Sequence, residues 1–319
     1  MTTNRALVLG CTNNYVFTVA NLLIGLFKES PDLFSSVFIF VDNKDLLSRY
    51  EHNALSLLAK HNNFSLRIRN HRDLLDPIMA NTEIENCLKN GNSAKILQRF
   101  SYVVYLKNFM YKIFYSPSLN EGESFDELLY LDSDILINGD ISSIFNHGSC
   151  CAIGTRKLNE VIKPEDKNII FPYISNEAIK PNGGVFLLKR KGIPDDLDPN
   201  HIDSFLVSTF IDLIKHNYFA MLDEILIVAF TQKFKIYLDI ISSIYNYVPI
   251  WRQESPGLII HSAGQKKFWN SVALSAMFPQ WSINNKIWLG YLLIAGVEVN
   301  DLSRYNHYDI TQKLLNSQI

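Results

Sequence analysis

An α/β protein, with a parallel sheet covered on both faces by helices, is what the sequence predicts from three observations. Short β-rich runs alternate with helical patterns through the first half of the 319-residue chain. The composition, 47% hydrophobic and 19% charged, supplies apolar mass for one large α/β domain with an appendage, or for two modest domains. The apolar run Leu128-Leu129-Tyr130-Leu131 reads as a buried strand, and it ends by presenting Asp132 and Asp134 where ligands collect in open α/β sheets. With 30 basic against 32 acidic side chains the formal charge is -2, which leaves no electrostatic footprint for nucleic acid at the whole-chain level.

Taken in order, Arg5 to Gly10 is a strand, and Tyr15 to Lys28 places Phe17, Val19, Leu22, Leu23, Leu26 and Phe27 close to helical spacing until Pro31 stops it. Val37 to Val41 then completes a βαβ unit, and Phe64 to Arg69 adds a third strand. A long helix is expected from about Ala94 to Tyr115, ending before Pro117, with a polar, exposed loop from Ser116 to Asp126 after it. Beyond the acidic pair, Cys150 to Gly154 and Gly184 to Leu188 are strand-like, and Asp203 to His216 and Leu222 to Phe230 are helical.

After Trp269 the chain changes character, with apolar helical stretches at Ser271 to Phe278 and Ile287 to Val297. Residues 1–270 are accordingly read as the main domain and 271–319 as a C-terminal helical extension. The last stretch is too short to span a bilayer, so it is expected to pack on the core, with peripheral attachment to a membrane as the alternative. Cys11, Cys87, Cys150 and Cys151 form no C-x-x-C pair and read as reduced core thiols. The N-terminal residues run directly into the first strand without a secretory pattern, which predicts a cytoplasmic protein, at most peripheral to the inner face of a membrane.

Two carboxylates at the carboxyl end of a strand suit a hard divalent cation carrying phosphate, and hence a metal-bridged nucleotide diphosphate. Acids separated by one residue are also common on solvated turns, so the pair gains meaning only from the segments downstream of it. Three such segments come in order: Pro181-Asn182-Gly183-Gly184-Val185-Phe186-Leu187-Leu188, then Asp223-Glu224, then Ile259-Ile260-His261-Ser262-Ala263-Gly264-Gln265-Lys266-Lys267-Phe268-Trp269. With the D-x-D, this chain resembles glycosyltransferase family 8, which includes bacterial lipopolysaccharide galactosyl- and glucosyltransferases and the glycogenins, over roughly residues 5 to 270.

That resemblance implies a GT-A fold, Rossmann-like, with a mixed central sheet flanked by helices. It implies a retaining hexosyltransferase that takes its sugar from a nucleotide diphosphate donor, a UDP-hexose in the first instance, and delivers it to a glycan, glycolipid or glycoprotein acceptor. Asp132, Asp134 and His261 would ligate the metal, an oxygen and nitrogen set that tolerates Mn2+ better than the all-oxygen sets preferred by Mg2+. Ser133 lies between the acids, and Lys267 falls where the family's diphosphate-binding lysine stands, with Gly264 letting the backbone approach the phosphates. Asn182, at a glycine turn with Gly183, resembles the sugar-contacting asparagine, and Asp223 the carboxylate on the donor sugar. Glu224 stands where Gln is usual. Thr12, Asn13, Asn14 and Tyr15 come after the first strand, where the family binds base and ribose.

The departures fall at specific positions. Asn13 or Asn14 replaces an acidic base-reading residue, changing a pure acceptor to a donor and acceptor. Tyr105 stands where a basic residue is usual, with Lys107 nearby; Ile227-Val228 replaces a common Asn, and Phe268 the usual Pro. Two other readings stay open: a HAD-type phosphatase, whose nucleophile also sits in a D-x-D after an apolar strand, and a transferase-like fold that binds without turnover.

Overall fold

The computed structural model describes residues 3–89, 102–149, 151–155, 181–216, 222–250 and 255–305. Strands β1 (Arg5–Gly10), β2 (Ser36–Val41), β3 (Ser65–Asn70) and β4 (Glu127–Asp132) lie parallel, as the alternation of the first half predicts. A short β5 (Ile135–Ile137) comes after β4. Strand β6 (Cys151–Thr155) and β7 (Pro181–Lys189) are antiparallel to each other, β7 is antiparallel to β4, and β8 (Leu238–Ile240) runs parallel to β6. The central sheet thus has seven strands in the order β3-β2-β1-β4-β7-β6-β8 and is mixed. Strand β9 (Ile259–His261) pairs with β5 in a separate two-stranded sheet.

Side chains alternate across the pleat, so β1, β2, β4, β6 and β7 each feed two cores. From β1, Leu7 and Leu9 enter one core and Ala6 and Val8 the other; from β4, Leu129 and Leu131 divide from Leu128 and Tyr130 in the same way. Helix α1 (Val16–Glu29) fills the first core, buried at every residue from Val16 to Phe27. Helix α2 (Arg49–His61), started by a capping box between Ser48 and Glu51, closes its outer side. The second core lies under α3 (Arg72–Met79), α4 (Thr82–Lys89), α5 (Pro199–Lys215) and α6 (Leu222–Lys233).

Two further helices, α7 (Val272–Met277) and α8 (Gln280–Ile294), carry the chain back onto α1. Trp281, Trp288 and Leu292 of α8 join the first core. The polar residues that hide this helix from a periodicity reading are used in the contact: Asn21 donates to Asn285 Oδ1 at 3.2 Å, and Asn284 Nδ2 donates to the Asn21 carbonyl at 3.1 Å. A Cβ on Gly25 would stand 2.9 Å from Asn284 Nδ2, so the helices approach closely because this position is glycine. Helix α8 therefore begins at Gln280, ahead of the expected Ile287. Among the described residues no helix is long and apolar enough to cross a membrane.

Two other expectations need correction. The expected Ala94 to Tyr115 helix lies outside the described residues up to 101, and from there it is not one helix but the short pieces Tyr102–Tyr105, Leu106–Phe109 and Met110–Phe114. Its aromatic and β-branched side chains are poor helix formers, and packing under the sheet decides their path. The loop from Ser116 to Asp126 opens with the helical turn Pro117–Asn120 and buries Leu119, Asn120 and Phe125, so it is only partly exposed. Cys11 and Cys151 are buried free thiols, whereas Cys87 is half-buried; Cys150 lies outside the described residues.

Candidate active site

At the carboxyl end of β4, the apolar strand gives way to a turn through Ser133 and Asp134 and then to β5. Residue Ile135 of β5 pairs with His261 of β9, so the register of the small sheet delivers the histidine beside the acids. Ser262 locks this register, its backbone N–H and its hydroxyl both donating to the Asp134 carbonyl at 3.0 Å. His261 Nε2 lies 3.2 Å from Asp134 Oδ1 and 3.5 Å from Asp132 Oδ2. One ligand atom from each of Asp132, Asp134 and His261 lies within 4.8 Å of the others. Two carboxylate oxygens and a ring nitrogen converging in this way can hold a divalent ion, so the three residues read as ligands in the sequence fit the group.

Two lysines flank the cluster. Lys267 Nζ donates to Asp134 Oδ2 and, at 3.0 Å, to the Ser262 carbonyl. Burial works to raise the Asp134 carboxyl, but the Lys267 ammonium above all, joined by the His261 ring when that ring is protonated, more than offsets it and holds the group well below the usual carboxylate range. Lys107, 3% exposed, donates to Asp223 Oδ2 at 2.8 Å and lies 3.7 Å from Asp132 Oδ1. Burial alone would lower this ammonium; the carboxylates of Asp132, Asp223 and Glu224 raise it above the ordinary lysine value, and it stays charged. Lys107 thus ties the Asp132 side of the site to the first turn of α6, where Asp223 and buried Glu224 sit. Tyr130 completes this layer, its hydroxyl donating to Asp132 Oδ1 at 2.8 Å while its ring underlies Lys107 Nζ at 5.1 Å.

Of the other residues read from the sequence, the Asn182 segment lies against this cluster, whereas Asn13 and Asn14 line a separate cavity with Glu51 and Trp288. Asn182, Gly183 and Gly184 lie within β7, opposite a register shift in β6, and do not form a tight turn. The glycines serve packing: a Cβ on Gly183 would stand 2.8 Å from Lys107 Nζ, and one on Gly184 would overlap the His261 ring. Asn13 gives its side chain to the backbone of Asn43, donating at 2.7 Å and accepting at 3.0 Å, so it braces the β2 loop. Thr12 accepts the Tyr15 N–H through its carbonyl, and Asn14 and Tyr15 are exposed. The Tyr15 ring lies 5.9 Å from that of Trp269, which joins the segment after β1 to the segment after β9. Gly264 has φ of 95°, a conformation that requires glycine.

Tyr105 is buried edge-on to Phe210, and Lys107, two residues on, is the cation that reaches the acids. Phe268 and Ile227-Val228, the other departures, are buried in the two cores. Asn246, which no pattern in the sequence marks, also belongs to the site, bonding both His261 and Asn182.

No protein-family model matches the chain, and no curated protein matches it by sequence. Solved structures share its fold. Galactosyltransferase LgtC, in complex with donor and acceptor sugar analogues, superposes with a TM-score of 0.61 at 14% identity, over 94% of this chain and 99% of that one. Glycosyltransferase GlyE of Streptococcus pneumoniae gives 0.54 at 15% identity, over 90% of this chain and 64% of that one. Mouse xyloside xylosyltransferase 1 gives 0.52 at 12% identity, over 82% of this chain and 98% of that one. The chain therefore has the fold of GT-A glycosyltransferases, a mixed seven-stranded sheet flanked by helices.

Proposed function

We propose that this protein is a metal-dependent, retaining glycosyltransferase of the family 8 kind, which moves a hexose from a nucleotide diphosphate donor, a UDP-sugar in the first instance, to an acceptor hydroxyl in glycan or glycoconjugate synthesis. The observation that carries the reading is the convergence of Asp132, Asp134 and His261 at the carboxyl end of β4, with a lysine on each side, in a fold shared with sugar-transferring enzymes.

A divalent ion held by these three residues, Mn2+ in preference to Mg2+, would neutralise charge on the departing diphosphate. Lys267 is poised to exchange its bond to Asp134 for one to phosphate oxygens, supplying positive charge where the leaving group gains negative charge. Asn182 and Asp223 orient the donor sugar, with Glu224 beside them, and Lys107 holds the Asp223 carboxylate in place. The segment Thr12 to Tyr15 receives base and ribose, with the Tyr15 ring, against Trp269, as the stacking surface. Configuration is retained if the acceptor proton passes to the leaving diphosphate on the face it vacates, so that no separate general base is needed behind the anomeric carbon.

Incubating the purified protein with a panel of nucleotide sugars and Mn2+ tests the reading. Nucleotide release that needs metal is expected, and Asp134→Ala should abolish it while the protein stays folded. An α-linked product from an α-linked donor, read from the anomeric proton coupling, is expected if the reaction retains configuration; a β-linked product would refute that assignment. Release of inorganic phosphate without sugar transfer would favour the phosphatase reading.

A further inference from the structure

We infer that Asn246 is a positioning residue: it fixes His261 in the form protonated at Nδ1, leaving the Nε2 lone pair for the proposed metal, and in that respect the inference rests on the reading above. One donor in the network has a direction that cannot be reversed, the backbone N–H of Gly184. It donates to Asn182 Oδ1 at 3.2 Å, which fixes which end of that carboxamide is oxygen. The same oxygen lies 3.0 Å from Asn246 and must receive a hydrogen there, so the Asn246 atom facing it is Nδ2. The Asn246 oxygen is then the atom turned toward His261, 3.1 Å from Nδ1. An oxygen only accepts, and the proton between them therefore belongs to Nδ1.

Asn182, Asn246 and His261 are 6%, 1% and 2% exposed, so water cannot readily substitute for any link of the chain. Two glycines make room for it. A Cβ on Gly154 would overlap the Asn246 carboxamide and one on Gly184 the His261 ring, so both side chains occupy space that only glycine leaves open on the sheet. The consequence appears at the far side of the ring, where an unprotonated Nε2 faces Asp134 Oδ1 at 3.2 Å and Asp132 Oδ2 at 3.5 Å. Acceptors converging in this way repel one another until a cation lies between them. Asn246 thus sets the ring to receive a cation before the cation arrives, as second-layer partners of metal-ligating histidines do.

The test is nitrogen NMR of the full-length, metal-free protein with 15N-labelled histidine, at a pH where the ring is neutral, the His261 signal being identified by its loss in His261→Gln. The expected ring carries its proton on Nδ1. Asn246→Ala should show a mixture of the two ring forms and weaken Mn2+ binding by about 10- to 100-fold, measured by calorimetry. Asn246→Asp, which still accepts from Nδ1, should keep the Nδ1–H form, and it carries the test if Asn246→Ala does not fold. A proton found on Nε2 in the natural protein or in Asn246→Asp overturns the inference. So does an Asn246→Ala protein whose ring form and Mn2+ affinity are unchanged. If the natural protein shows the Nδ1–H ring but binds no Mn2+, the metal reading fails while the assignment to Asn246 stands.

Discussion

Lys107 sits among three carboxylates at a place that solvent barely reaches, and the balance of effects there decides its role. Its folded pKa lies above the ordinary 10.5, so the stability it contributes is complete below that value and is lost only as pH rises through the higher folded one. Asp134 has the opposite sign. Its folded pKa is depressed below the ordinary 3.8, so its contribution is present above that value and disappears only as pH falls through the lower one. Between about pH 5 and 9 neither group changes charge. Lys107→Met should therefore destabilise the protein by about 3 kcal/mol, because it removes the buried ammonium from beside Asp132, Asp223 and Glu224. The loss should be equal at both ends of that range, measured by denaturant unfolding. A loss that vanished at the alkaline end would mean that the lysine is neutral there. The sequence places Lys107 near the site but not in it, since its contact with Asp223 spans 116 residues and only the fold makes it.

At the scale of elements, what is legible in the sequence is what local pattern controls. Strands β1 and β2 come from short apolar runs, β3 from an alternation of Leu66 and Ile68 with Arg67 and Arg69, helix α1 from helical spacing that Pro31 closes, and the Asp132 strand from four apolar residues before two acids. Where neighbours decide, the pattern misleads. Gly183 and Gly184 have the composition of a turn, yet they lie in a strand because Lys107 and His261 need the space that a Cβ would take. Asn246 is invisible for the same reason, since its partners Asn182 and His261 are brought to it by β7 and β9. Gly184→Ala tests this account of the strand. The methyl must push the His261 ring, at a cost of about 1–3 kcal/mol for an overpacked site. Mn2+ affinity should fall with it, while Gly290→Ala, in α8 with nothing within 4 Å of the added methyl, should leave Mn2+ affinity unchanged and raise stability by about 0.5–1 kcal/mol. Equal, unchanged Mn2+ titrations for the two variants would show that the glycine is not there for the ring.

For the whole molecule, the candidate site is where separate parts of the chain are joined. Asp132 ends a strand of the central sheet, Asp134 leads into the small sheet, and His261 comes from β9, with the Ser262 bonds to Asp134 crossing 128 residues of sequence. Lys267 adds a charged link across this junction at Asp134, as Lys107 supplies the positive charge beside Asp132. A bound ion would draw its ligands from the same strands, and its binding free energy then becomes folding free energy, because the unfolded chain holds no such arrangement. At a free Mn2+ concentration about 100 times its Kd, the protein should gain about 2.7 kcal/mol against unfolding. Asp134→Asn should abolish the gain. Trp288→Ala offers the contrast, since it empties a buried site in the core shared by α1 and α8 and should cost about 3–5 kcal/mol. It touches no ligand, so the increment from Mn2+ should survive in that variant at the same free Mn2+ concentration. Thermal and denaturant unfolding of the three proteins with and without the ion measure both quantities. Loss of the Mn2+ increment in Trp288→Ala would mean that the site depends on the packing of the C-terminal helix and is not built by the two sheets alone.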